Sequence, residues 1–174
     1  MTFIKNNLSS LVHLRPWKPE DAGALAAICN SRKIWINVRD NFPHPYTITN
    51  AVSWIAFNKD KQPVDNFAII YDFQLAGSIG IITKDDIYRK SIEIGYFIGE
   101  HFWGKGIATE AVGQLLQYIS SHFDAIRIYA EVFDNNKASM RVLEKNGFHL
   151  ESIRKKAVIK NNVVQDDYVW VKLD

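Results

Sequence analysis

The segment Gly99-Glu100-His101-Phe102-Trp103-Gly104-Lys105-Gly106-Ile107-Ala108-Thr109 holds the residue types best suited to chemistry, because three glycines join an isoleucine-rich run to an amphipathic one. A junction between a strand and a helix leaves amides unpaired at the helix start. Together with the positive end of the helix dipole they favour an anion, and glycine lets the backbone approach it closely. The same glycines would also serve a tight turn that binds nothing. As a phosphate loop, Gly99 to Lys105 fits until Gly106, which stands where a Ser or Thr should hold magnesium, and His101, Phe102 and Trp103 are bulky for such a loop. As a dinucleotide fingerprint, Gly104 and Gly106 are followed by Thr109 at the place of the third glycine, with 65 residues left for the rest of the sheet. Both patterns are incomplete.

Other reactive side chains are sparse. Cys29 is the only cysteine, so an internal disulfide and a thiolate metal cluster are both excluded, and its apolar surroundings in Ala26-Ala27-Ile28-Cys29 point to a buried, inert thiol. His13, His44, His101, His122 and His149 include no pair spaced i, i+4, so no metal site is expected. The 174 residues are 47% hydrophobic and carry a formal charge of +2, which suits one packed domain over 1–174 and gives no charge-based case for nucleic acid or a membrane surface. No run approaches the ~20 apolar residues of a membrane-spanning helix, and Lys5, Asn6 and Asn7 interrupt any signal-peptide core, so a cytoplasmic location is expected.

The elements that must position the glycine turn can be read from periodicity. Leu11 to Arg15 reads as a strand, a helix from Pro19-Glu20-Asp21 runs to about Asn30, and Thr49 is the expected cap of a second helix containing Val52, Ile55 and Ala56. Between these helices, Arg39-Asp40-Asn41-Phe42-Pro43-His44-Pro45-Tyr46 is a stiff loop, as suited to packing as to facing a substrate. Phe67 to Tyr71 and Ser78 to Thr83 form an expected hairpin around a tip at Asp72 to Gly77. Ile92 to Ile98 is a strand leading into the turn, and Ile107, Ala111, Leu115 and Ile119 stripe the following helix. Strands at Ala125 to Val132, Phe148 to Ile153 and Tyr168 to Leu173 complete the order, with a helix over Lys137 to Asn146 ended by Gly147. The sum is an α+β chain with a mixed sheet of seven strands and about four helices.

Several motifs in sequence order resemble the GCN5-related N-acetyltransferase (GNAT) family, and within it the RimJ/RimL-like ribosomal-protein N-terminal acetyltransferases. They are Glu93-Ile94-Gly95-Tyr96, then Trp103-Gly104-Lys105-Gly106-Ile107-Ala108-Thr109-Glu110-Ala111, then Asn136-Lys137-Ala138-Ser139 and Gly147-Phe148. The likeness extends from Leu14-Arg15-Pro16 to Asp166 and Trp170. Trp103 departs from the general turn pattern, which has Arg or Gln there, but is usual in the narrower branch. The resemblance implies a mostly antiparallel sheet split between strands four and five to hold CoA. It implies that acetyl-CoA is the cosubstrate, with its pyrophosphate on the amides of Trp103, Gly104, Lys105, Gly106, Ile107, Ala108 and Thr109. Its pantetheine arm would lie along Tyr96, Phe97 and Ile98, where an amide near Ile98 serves as an oxyanion donor.

An amine nucleophile must lose a proton before attack. By resemblance Glu131 is the candidate base and Glu93 its rival, while each could instead sit on a solvated face or pair with a cation. In many relatives a tyrosine protonates the leaving thiolate. Leu143 stands at that position here, and Ser139 matches the serine assigned this task in the RimL-like group. Asn136 is expected to cap the helix and also contact CoA. Phe42, His44 and Tyr46 are candidate acceptor contacts. The expected reaction is direct transfer to a primary amine in a ternary complex, with a peptide or protein N-terminus as acceptor and the chain a monomer or homodimer. Its alternatives are a small amine acceptor (polyamine, amino acid or aminoglycoside) and a catalytically silent CoA-binding protein.

Overall fold

The computed structural model describes residues 11–173. The chain opens with β1 (Val12–Arg15), α1 (Ala22–Cys29), a short α2 (Arg32–Trp35) and α3 (Ile48–Asn58). Strands β2 (Asn66–Tyr71), β3 (Gln74–Thr83) and β4 (Ser91–Ile98) follow, then α4 (Ile107–His122), β5 (Arg127–Phe133), α5 (Lys137–Lys145), β6 (His149–Lys160) and β7 (Val163–Leu173). The seven strands make one sheet in the order β1-β2-β3-β4-β5-β7-β6, antiparallel except where β4 meets β5. Two cores cover its faces. Leu115, Ile119, Met140 and Leu143 from α4 and α5 pack against Ile79, Ile92, Ile94 and Ile98 on one side. Leu25, Cys29, Ala51 and Ile55 from α1 and α3 meet Ala68, Ile70 and Leu75 on the other.

Local chemistry explains most element ends. The sequence reading capped α3 at Thr49, but the cap is Thr47, whose Oγ1 accepts from the Asn50 amide while Asn50 Oδ1 accepts from the Thr47 amide. A residue able to bond back three positions on decides between two nearby threonines. Gly147 has φ +81° just past α5, where the amides of Gly147 and Phe148 bond the carbonyls of Glu144 and Leu143. The β2–β3 tip is narrower than expected. Asp72 and Phe73 alone turn, both at positive φ, so Leu75, Ala76 and Gly77 belong to β3. Asn161 and Asn162 likewise turn at positive φ and let β6 and β7 run on through residues that the sequence reading left outside strands. The fifth helix, α2, is an addition to the expected four, and Ser31 caps it by accepting from the Ile34 amide.

Cys29 is fully buried, and burial pushes its thiol far above its ordinary range, in keeping with an inert packing role. No helix among the described residues is long and apolar enough to cross a membrane.

The first strand is tied to the first helix by a paired charge. Arg15 donates two hydrogen bonds of 2.7 Å to Asp21, which also accepts from the Lys18 amide at 2.9 Å. Burial by itself would raise the Asp21 carboxyl, but Arg15 and the Lys18 amide outweigh it and hold it below the ordinary carboxylate value. Asp21→Asn is therefore expected to cost about 2 kcal/mol in urea unfolding at pH 7, the scale of hydrogen bonds to a charged group. Because the folded value is the lower one, this contribution is complete above the unfolded carboxyl value of about 4 and fades as pH falls through the folded value. The gap between variant and parent should close in melts under acid conditions.

Candidate active site

The site begins where the sheet fails to close. Strands β4 and β5 pair only from Ser91 to Glu93 and from Arg127 to Tyr129. Beyond that point β4 stays bonded to β3 as far as Ile98, and β5 stays bonded to β7 as far as Phe133. The Gly99 amide bonds the Ala76 carbonyl on the β3 side, so alternation along β4 turns the amides of Tyr96 and Ile98, beyond the last pair with β5, toward the gap. A cleft of about 1040 Å³ occupies this opening and the space beside it, with Tyr96, Phe97, Glu93, Glu131, Asn136 and Ser139 among its walls.

Past the end of β4, the glycine turn leads into α4. Gly104 and Gly106 have φ of +77° and +76°, and Gly106 is the N-cap residue of α4. A Cβ at either position would meet nothing within 4 Å, so these residues are glycine for their dihedrals, with open space in front of them. The first helix-internal bond here joins the Glu110 amide to the Gly106 carbonyl, which leaves the amides of Ile107, Ala108 and Thr109 for another acceptor. Trp103 anchors the turn, its indole N–H donating to the Ile98 carbonyl at 2.7 Å. The Lys105 ammonium lies 5.4 Å from the centre of the Tyr71 ring and 5.5 Å from that of Phe102, beside the turn. Backbone, dipole and lysine together are of a kind to favour an anion.

The two candidate carboxylates share one cation. Arg39, in the loop after α2, bonds Glu93 on β4 and, at 2.9 Å, Glu131 on β5. Burial works against the Arg39 charge, yet Glu93 and Glu131 more than compensate and raise its pKa further. Glu93 also takes Lys84 at 2.9 Å and the Tyr129 hydroxyl at 3.4 Å. Glu131 takes Arg154 from β6 at 2.6 Å, and Arg154 also pairs with Asp167 on β7. Burial raises the Asp167 carboxyl despite the arginine, and its Oδ1 has no partner. Glu93 is the more enclosed of the pair, with 10% of its side chain exposed against 23% for Glu131.

On the facing helix, Asn136 caps α5, its Oδ1 accepting from the Ser139 amide at 3.2 Å. The Ser139 Oγ lies 2.8 Å from the Tyr96 hydroxyl. Among the aromatic candidates, Phe42 lines the cleft and meets Phe97 edge-on at 5.6 Å, and Tyr46 lines it from within the second core. His44 does not line the cleft. Its ring stacks on Trp35 at 5.5 Å. The roof over this half is a contact that sequence could not foresee, with Lys160 at the end of β6 bonding Asp40 at 2.7 Å and lying 3.9 Å from the centre of the Trp35 ring. The sequence places Arg39 in a loop and Lys84 in a charged connection but gives neither them nor Arg154 a role at the site, because nothing in their local pattern sets them apart from surface cations.

A mixed sheet opened between two parallel strands, with a glycine turn at the next helix and carboxylates across the gap, is the GNAT fold. The chain belongs to the GNAT acetyltransferase family, whose acetyltransferase (GNAT) domain model matches residues 12–149. The probable N-acetyltransferase YjcK of Bacillus subtilis is 43% identical over 99 residues, which make up 55% of this chain and only 55% of that relative. The putative ribosomal N-acetyltransferase YdaF of Bacillus subtilis is 29% identical over 168 residues, 93% of this chain and 90% of that one. The crystal structure of the microcin C7 self-immunity acetyltransferase MccE in complex with acetyl-CoA and AMP has a TM-score of 0.81 at 27% identity, covering 97% of this chain and 94% of that one.

Proposed function

We propose that this chain is an N-acetyltransferase that moves the acetyl group of acetyl-CoA directly to the primary amine at a peptide or protein N-terminus. The observation that carries the reading is the continuity between the β4–β5 opening and the αL glycine turn at α4. Unpaired strand amides of Tyr96 and Ile98 suit the amide groups of a pantetheine arm, and the amides of Trp103 to Thr109 suit a pyrophosphate. Asn136 supports the arm from the other side with the Nδ2 that its capping bond leaves free. The Ile98 amide polarises the thioester carbonyl as charge develops there.

Glu131 removes the proton of the attacking amine. It is the carboxylate at which β5 has already left β4, and it is more open than Glu93. Arg39 ties both carboxylates, so Glu93 holds Arg39 and Lys84 in place while Glu131 is the one an amine can reach. Ser139 gives its proton to the departing sulfur, Leu143 being buried and unable to do so. Phe42 and Tyr46 form the acceptor wall, and His44 acts only through Trp35. The full-length likeness to a putative ribosomal N-acetyltransferase supports a peptide acceptor. One observation favours a second reading, a small amine acceptor: the Lys160–Asp40 bond ties two walls of the cleft together.

Four outcomes are expected. Gly106→Asp should abolish CoA binding in calorimetry, since a carboxylate then faces the anion site, while a thermal melt registers about 1 kcal/mol of backbone strain at positive φ. The parent should bind CoA unchanged in EDTA, and magnesium-dependent ATP binding without CoA binding would sink the acetyltransferase reading. Glu131→Gln should lower turnover ~10²-fold with CoA affinity intact, the scale of a lost general base. If Glu93→Gln does so instead, the base is assigned to the wrong strand. In an acceptor panel, short peptides with a small free N-terminal residue should outperform lysine and spermidine, because an α-amine titrates at about 8 and is the easier to deprotonate. Preference for spermidine would move the acceptor class to small amines.

A further inference from the structure

We propose that Tyr96 is a positioning residue that aims the Ser139 hydroxyl at the leaving sulfur. The proposal rests on the reading of Ser139 as the proton donor. Tyr96 leaves β4 on the face covered by α4 and α5, packs against their core, and reaches α5 across the opening where β4 and β5 have parted. Its hydroxyl lies 2.8 Å from Ser139 Oγ and 3.2 Å from the Ser139 carbonyl oxygen. These contacts join the two walls of the cleft at the residue that must deliver a proton into it.

A serine in the first turn of a helix has several staggered positions and can spend its hydrogen on a nearby backbone carbonyl. A hydroxyl so engaged donates to nothing else. Either hydroxyl can donate across the 2.8 Å contact, and the phenol's one hydrogen also has the Ser139 carbonyl oxygen at 3.2 Å; with the phenol, the stronger acid, donating over the shorter contact, Ser139 Oγ accepts. That leaves the hydrogen of Ser139 for a third atom on the cleft side. Hydrogen bonds in series also polarise one another, so a serine that accepts from Tyr96 donates more strongly. Burial pushes the Tyr96 phenol up to about 12, so it keeps its proton, and its role, across the neutral range.

The step balances with Tyr96 unchanged. The amine lone pair forms the new C–N bond, the C–S bond breaks with its electron pair on sulfur, and sulfur takes the proton of Ser139. The proton lost by the amine is taken by Glu131 and passes from there through water to Ser139, so that both groups end as they began. Products are the amide and the free thiol.

The test compares parent, Tyr96→Phe, Ser139→Ala and the double variant of the full chain, with acetyl-CoA and with an acetyl-CoA analogue fluorinated beside the sulfur to make its thiol more acidic. Phenylalanine keeps the ring, and a thermal melt of each variant checks folding. Tyr96→Phe should lower kcat about 10-fold with acetyl-CoA, the worth of one hydrogen bond, with its KM nearly unchanged. The loss should shrink with the fluorinated donor, which a purely structural tie between β4 and α5 would not produce. The double variant should be no slower than Ser139→Ala alone. A slow Ser139→Ala beside a normal Tyr96→Phe would overturn the role of Tyr96 and leave Ser139 standing. Parent-like turnover in Ser139→Ala would remove the proton donor itself, and losses that add in the double variant would place the action of Tyr96 elsewhere.

Discussion

Strands β4 and β5 share parallel hydrogen bonds over three residues each and then separate, and the whole site follows from that separation. Each strand is committed on its outer side, β4 to β3 over seven residue pairs and β5 to β7 over seven, so each follows the twist of its own half of the sheet. The gap has an energetic cost, because backbone amides in a protein interior need partners. In the proposed function, a ligand rich in amide groups laid along the edge of β4 would meet that need. The defect in the sheet would thereby serve as a recognition surface, and the strength of the flanking antiparallel ladders lets the fold tolerate it.

The opening also brings charge together. Glu93 and Glu131 sit on opposite sides of it, and Asp167 lies one strand further, where burial raises its carboxyl. Three carboxylates this close would repel without cations among them. Arg39 from the loop after α2, Lys84 from the end of β3 and Arg154 from β6 supply those cations. Each comes from a different part of the chain, so the acceptor half is held by electrostatics rather than by a local motif. The same loop is pinned from above by Lys160, which couples the β6–β7 hairpin to the residues that carry Arg39.

Trp103 illustrates how one residue serves both halves. The general pattern of the turn has a polar Arg or Gln there, yet the indole N–H reaches back to the Ile98 carbonyl and ends β4 at a fixed place. The Ile98 carbonyl is thereby satisfied while its amide remains turned to the gap. A strand end, a turn and a helix start are held as one piece, which is what a site made of backbone groups requires.

Much of this was legible in the residues themselves. Periodicity located the seven strands of the described residues and four of their helices, and Gly104, Gly106 and Gly147 marked places where φ is positive, since those are local properties of backbone and side chain. The order of the motifs gave the family. Local reading failed where two similar signals competed, as with Thr47 and Thr49, and where a turn was made by Phe73 or by Asn161 and Asn162 without glycine. It could not reach the convergence of Arg39, Lys84 and Arg154 on the carboxylates, the departure of His44 to Trp35, or the meeting of Tyr96 with Ser139 43 residues away. Hydrophobic patterning fixes which face of each element is buried, whereas the partner of a long polar side chain depends on how the elements are finally packed, and only the tertiary structure decides that.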